Sequence, residues 1–183
     1  MPRLITACLA LSADGFIARR DGSVDWLNRP EPKGGYGLPA FAASIDTILW
    51  GHTTFRHGLQ LGDLSAFGPV RHYVFSRSPQ SDRFPNVKFV RSPIPRFARE
   101  LRRRPGKDIW LMGGAALFGA FLDAGQIDDL LIHLIPTVIG EGIPLFAPAR
   151  RDVPLRLLSS RRYSDGVVRL HYAVLNAPAG KSD

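Results

Sequence analysis

The residues with the most chemical promise are Gly113 and Gly114, inside the run IWLMGGAALF that spans residues 109–118. Four apolar residues lead into the glycine pair, and small or apolar helix formers follow it. This reads as a buried strand, a two-glycine turn and a helix start. Paired glycines let the backbone bend sharply and let another molecule approach with no Cβ in the way. The free N–H groups of a helix start face that approach, and the helix dipole favours an anion there. A nucleotide pyrophosphate suits such a corner. A plain strand-to-helix turn with no ligand fits the same residues. The spacing G-x-G-x-x-G is absent, so the usual dinucleotide fingerprint is not supported.

The elements that must position this corner follow from hydrophobic patterning. Residues 4–11 form a nearly continuous apolar run, as expected of a strand covered on both faces rather than of a signal segment. Residues 12–25 read as a loop with turn signals at Asp14-Gly15 and Asp21-Gly22, and 16–18 as an apolar stretch folding back over a pocket. Residues 29–37 are rich in Pro and Gly and read as irregular. Helices are expected over 38–45, 53–59, 94–103 and 115–124, with Gly125 as the residue after the last helix. Further strands are expected over 47–50, 70–75, 87–90, 109–112 and 130–136, with 138–139 continuing the extended path. Residues 155–163 and 167–175 flank Ser164-Asp165-Gly166, a hairpin signal. Strands alternating with helices indicate an α/β fold with a largely parallel sheet, closed by an antiparallel hairpin at one edge. One domain over 1–175 and a disordered tail over 176–183 complete the reading.

The chain has 183 residues, 45% hydrophobic and 22% charged, as is ordinary for a single globular domain. Its net charge of +8 invites a nucleic-acid reading. The basic clusters (Arg19-Arg20, Arg102-Arg103-Arg104, Arg150-Arg151, Arg161-Arg162) are short, scattered and not interleaved with aromatics. They read as solvated surface, or as attraction for a small polyanion, and no nucleic-acid partner is expected. The single cysteine, Cys8, excludes an intrachain disulfide and reads as a small core hydrophobe. No run reaches the ~18–20 apolar residues that span a membrane, and a cytoplasmic location is expected. His133 and His171 have no plausible metal partners nearby, so no metal is expected. Glu141, between two glycines, reads as a solvated turn residue.

Four segments in fixed order carry a resemblance. They are residues 5–17 ending SADGFIA, with Trp26 after them; IDTILWGHTTF over 45–55; YVFSRS over 73–78; and IWLMGGAALF followed by Ile127-Asp128-Asp129 and PTVIGEGIPLF over 136–146. Together the chain resembles the dihydrofolate reductase-like superfamily. It is most similar to the reductase domain of the bifunctional riboflavin-biosynthesis deaminase-reductase and its stand-alone bacterial relatives, over roughly residues 3–175.

The resemblance implies a three-layer fold, with a mixed sheet between flanking helices and NADPH bound across its C-terminal edge. It places the family's phosphate-binding Gly-Arg-x-Thr on Gly51, His52, Thr53 and Thr54, with histidine where the family has arginine. That matters because arginine holds phosphate bidentately and is always charged. Ser76 and Arg77, with Ser78, fall on the 2′-phosphate contact. Gly113, Gly114, Ala115, Ala116 and Leu117 fall on the pyrophosphate turn. Ala7 and the 12–17 loop, including Gly15, fall where nicotinamide and substrate meet.

The expected activity is hydride transfer to a small heterocycle or carbonyl, for example the reduction of a phosphoribosylaminopyrimidine. Asp14 is the candidate catalytic contact, with Asp25 as second choice. Phe16, Trp26 and Tyr36 are candidate substrate contacts, since aromatics stack on flat rings. A true dihydrofolate reductase is disfavoured, because the helix over 38–45 lacks the carboxylate that pairs with a pterin. The alternative is a nucleotide-binding relative without turnover, to which the missing arginine at 52 points. A homodimer paired through the closing hairpin is expected.

Overall fold

A computed structural model of the chain describes residues 2–62, 64–77, 84, 86–146 and 152–175. The expected tail, Ser78 and the Arg150-Arg151 pair lie outside the described residues. The first strand, β1 (Ile5–Ser12), leads into a short β2 (Phe16–Ala18) and then α1 (Leu38–Ser44), β3 (Ile45–Gly51) and α2 (His52–Leu61). After these come β4 (Arg71–Phe75), β5 (Val87–Val90), α3 (Ile94–Arg102), β6 (Asp108–Gly113) and α4 (Ala115–Asp123). The chain then closes with β7 (Asp129–Ile135), β8 (Ile143–Pro144), β9 (Leu155–Arg162) and β10 (Val168–Val174).

Eight strands form one sheet in the order β5-β4-β3-β6-β1-β7-β10-β9. The first six are parallel, while β10 and β9 pair antiparallel at one edge. The apolar run of β1 is explained by cover on both faces. Ile5 and Ala7 pack with Phe97, Leu101, Phe118 and Phe121 beneath α3 and α4. On the opposite face, Trp50 of β3 and Phe55 of α2 pack with Phe41 of α1 and with Trp110 and Met112 of β6. The expected periodicity of α3 holds, since Phe97, Ala98 and Leu101 are its buried residues.

Gly125 ends α4 as expected. Its φ is 62°; its N–H bonds the Leu122 carbonyl at 3.0 Å, and the Gln126 N–H bonds that of Phe121 at 2.9 Å. This paired closure needs a left-handed residue, which glycine adopts without strain. Asp46, at the entry of β3, accepts from the buried Arg3 guanidinium and from the Lys107 N–H.

Two features differ from expectation. Residues 16–18 form β2, which pairs with β8 as a separate two-stranded sheet. Single-turn 3-10 helices occupy Asp25–Leu27, Gly35–Gly37 and Leu64–Phe67. Each is too short to leave a periodic signature, and the β2–β8 pairing joins segments far apart in sequence.

Candidate functional site

Strands β4, β3, β6 and β1 end at the same side of the sheet and open onto a groove of about 1890 Å³. That exceeds the roughly 300–1000 Å³ of a site for one drug-sized ligand. Two helices begin there. The residues preceding α2 and α4 are Gly51 and Gly114, and neither has a side chain with which to cap its helix. Helix geometry therefore leaves the first-turn amides of 52–54 and 115–117 directed at the groove, with both dipoles favouring an anion between them.

Two glycines of this corner are closely approached. A Cβ on Gly51 would lie 3.3 Å from the Gly113 carbonyl oxygen, and one on Gly114 would lie 2.7 Å from Thr54 Oγ1. Gly113 has φ of 89°, which favours glycine, and the Gly113-Gly114 peptide is cis. The Gly114 N–H donates to Thr54 Oγ1 at 2.7 Å, so the start of α4 is tied to the first turn of α2.

Charge is distributed unevenly around the groove. At the β4 and β5 ends stand Ser76, Arg77 and Arg91. A guanidinium N–H of Arg91 donates to the Arg77 carbonyl at 3.1 Å, which links the segments that follow β4 and β5. Over the opposite end runs the loop following β2. Gly22 packs directly on the His57 ring of α2. Asp25 takes two bonds from Arg19, at 2.6 and 3.1 Å, which hold its carboxyl below the usual range. Asp21 is likewise lowered, by the Ser23 N–H and hydroxyl. Among the described residues no cluster of three or more His, Cys, Asp or Glu could hold a metal.

Gly51, His52, Thr53, Thr54, Ser76, Arg77 and the whole 113–117 turn line this one groove. Six other candidates do not. Asp14 lies off the lining of this groove and is bonded within the protein. Its carboxylate accepts the Ser12 hydroxyl at 2.6 Å and the N–H groups of Ile139 and Gly140 at 3.1 and 2.7 Å. Those bonds, Ser12's first, hold it below the ordinary carboxylate range. It ties the turn after β1 to the loop after β7. Gly15 closes that turn, donating to the Ser12 carbonyl at 3.0 Å. Phe16 belongs to β2 beside Pro144. Ala7 faces α3 and α4 in the core, while its neighbours Cys8, Leu9 and Ala10 reach the groove.

Trp26 and Tyr36 fall in a separate cluster with Ile135, Tyr163 and Val167. The Tyr36 hydroxyl donates to Asp165 at 2.6 Å, and its carbonyl accepts the Tyr163 hydroxyl at 2.6 Å and His133 Nε2 at 3.2 Å. This network fastens the glycine-rich segment before α1 to the closing hairpin. Tyr36 itself has φ of 56° among Gly34, Gly35 and Gly37, all with positive φ.

The groove also contains residues that the sequence reading missed. Leu27 reaches it from the first 3-10 turn and Phe67 from the last, while Trp50, Met112 and Arg91 reach it from strand ends. Trp50 and Met112 directly precede Gly51 and Gly113, so adjacency to the glycines was the available signal. Leu27 and Phe67 depend on turns that leave none.

Comparison with known proteins gives a consistent family. Residues 3–169 match the model of the RibD C-terminal domain. The uncharacterized protein YwjB of Bacillus subtilis (strain 168) is 36% identical over 172 residues, covering 94% of this chain and 98% of that protein. The fold matches a deaminase/5-amino-6-(5-phosphoribosylamino)uracil reductase from Thermotoga maritima with TM-score 0.71 and 19% identity, over 94% of this chain and 57% of that one. It also matches the Enterococcus faecalis dihydrofolate reductase complexed with NADP(H), with TM-score 0.67 and 17% identity over 94% and 96% of the two chains. The chain therefore has the dihydrofolate reductase-like fold and belongs to the RibD C-terminal domain family.

Proposed function

We propose that the protein is an NADPH-dependent reductase that transfers a hydride to a small heterocyclic or carbonyl substrate. The observation that carries this reading is the pair of uncapped helix starts, α2 and α4, facing one groove beside the closely approached Gly51 and Gly114. The first-turn amides of 52–54 and 115–117 would hold the pyrophosphate, with His52 beside them. Ser76, Arg77 and Arg91 would hold the 2′-phosphate, which favours NADPH over NADH. The bound cofactor supplies the hydride. The protein's part is to orient the partners and exclude water.

The carboxylates on the described groove lining, Asp21 and Asp25, are held ionised by Ser23 and Arg19. The reading therefore assigns the product's proton to solvent at the groove mouth. α1, with the sequence LPAFAAS, has no acid to pair with a pterin, so the reading is not that of a true dihydrofolate reductase. A sensor without turnover is the second reading, favoured by His52 in place of arginine. Titration with NADPH, followed by nicotinamide fluorescence, tests the binding. NADPH consumption with carbonyl and heterocyclic acceptors separates the enzyme from the sensor.

The reading also takes the protein to act in the cytoplasm as a homodimer. Among the described residues no helix is long and apolar enough to cross a membrane. Support for a dimer comes from β9, an edge strand exposed throughout, with Leu157 53% and Leu158 46% accessible. Such an edge invites pairing with a second copy.

A further inference from the structure

We infer that His52 couples cofactor binding to proton uptake, so that the protein holds its dinucleotide more tightly as the pH falls through the neutral range. This rests on the reductase reading above and adds a regulation of the same site. Gly51 and Gly114 bring the starts of α2 and α4 to one corner of the groove, where β3 and β6 end side by side. The lining at that corner is formed by residues 50–54 and 112–117. One side chain among them can carry a charge, and it is His52, the first residue of α2.

The His52 ring is available to a ligand. It is half-buried, and among the described residues it has no hydrogen-bond or ion-pair partner. Thr54, two residues further on, already accepts the Gly114 N–H at 2.7 Å. An anion at the corner therefore meets amides whose number is fixed and one side chain whose charge is not. A neutral imidazole offers one N–H donor, whereas the imidazolium offers two donors and a full positive charge. Charge-assisted hydrogen bonds are about twice as strong as neutral ones. Imidazole is also the side chain that changes charge between about pH 5 and pH 8. A bound pyrophosphate, doubly negative over this range, favours the protonated ring, and by linkage the protonated ring favours the pyrophosphate.

The other ionisable side chains on the described lining do not reproduce this dependence. Arg77 and Arg91 follow β4 and β5, on the far side of β3 from β6, and stay charged at every working pH. Asp21 and Asp25, on the loop after β2, are held below the usual carboxylate range by Ser23 and Arg19 and remain ionised. Burial pushes the Cys8 thiol up to about 12 and keeps it neutral. Arg56, one turn beyond His52 on α2, is exposed, off the lining and permanently charged. That leaves His57 on the same helix, whose ring packs against Gly22. It lies about 7.5 Å along the axis from His52, away from the first-turn amides, and serves as the control.

The test is calorimetric titration of NADP+ on the natural protein and on His52→Gln, His52→Arg and His57→Gln, each checked for folding by circular dichroism at every pH. His52→Gln is the reference, so that titration of the cofactor's own 2′-phosphate cancels. Between about pH 8 and pH 6, the affinity of the natural protein relative to His52→Gln should rise roughly fivefold or more. At about pH 7, binding heats in two buffers of different ionisation enthalpy should show uptake of part of a proton by the natural protein beyond that of His52→Gln. Against the same reference, His52→Arg should bind more tightly by a constant factor, and His57→Gln should keep the natural dependence. Parallel profiles for the natural protein and His52→Gln would overturn the inference alone, as would loss of the dependence in His57→Gln. Binding of NADP+ to none of these proteins at any pH would overturn the cofactor reading together with the inference.

Discussion

The amide of Gly114 donates to the hydroxyl oxygen of Thr54 at 2.7 Å, joining the starts of two helices that are far apart in sequence. With the pairing of β3 and β6, this bond helps fix the spacing of the two N-termini on which the proposed anion site depends. Thr54→Val keeps the shape of the side chain but leaves a partly buried N–H without its acceptor. That should lower stability by about 1–3 kcal/mol. NADPH affinity should fall roughly tenfold, because the α4 amides lose their register with those of α2. Urea unfolding and nicotinamide fluorescence measure the two effects.

His52 stands where the family's phosphate-binding arginine would be. His52→Arg adds a permanent, two-pronged donor at the start of α2. NADPH should bind several-fold tighter at low salt, with the gain shrinking as salt screens the added charge. No change in affinity at any ionic strength would place the phosphates away from α2.

Asp14→Asn separates positioning from proton donation. A proton donor typically contributes about 10²–10⁴-fold in rate. The bonds to Ser12, Ile139 and Gly140 point instead to a fastening role, so kcat should fall by less than roughly tenfold. The melting temperature should drop, because a neutral amide cannot satisfy the same set of donors. A collapse in kcat with unchanged melting would instead support a catalytic role.

Stability should depend on two buried histidines. Burial lowers the pKa of His72, which must stay neutral to accept from Trp50, and of His133, which donates to the Tyr36 carbonyl. Unfolding frees both to bind protons below about pH 6.5. Stability should therefore be full above about pH 6.5. Below that it should fall towards the folded values, by up to about 1.4 kcal/mol per pH unit for each group. Urea midpoints between about pH 5 and pH 7.5 measure the slope, and His72→Asn should reduce it by about half. A flat profile in the natural protein would contradict both assignments.

The exposed edge of β9 gives an oligomer prediction. Sedimentation should give a particle of twice the 20.2 kDa chain mass. Leu157→Glu together with Leu158→Glu should return it to a monomer. A monomer in the natural protein would remove the homodimer from the account.

The fold class, most strands and helices and the glycine turn after β6 were legible in the sequence because each rests on local signals. Buried strands such as β1 and β6 are continuous apolar runs, α3 shows its helical period, and Gly113-Gly114 marks a turn with a positive φ at Gly113. The substrate side was not legible in the same way. Trp26 and Tyr36 look like stacking aromatics in one dimension, yet the hairpin around Asp165 claims them. Asp14 reads as an available acid until the loop after β7 supplies its donors from across the molecule. Leu27 and Phe67 enter the groove through single 3-10 turns, whose position is set by tertiary packing rather than by local pattern.

The account depends most on the groove between α2 and α4 holding a dinucleotide. The most direct measurement is a fluorescence titration of NADPH against the natural protein and against Gly114→Ala, whose added Cβ would meet Thr54 Oγ1. The account predicts saturable one-to-one binding in the micromolar range, weakened roughly tenfold or more by the alanine. A folded natural protein that shows no saturable NADPH binding, or a Gly114→Ala variant that binds as tightly, would contradict it.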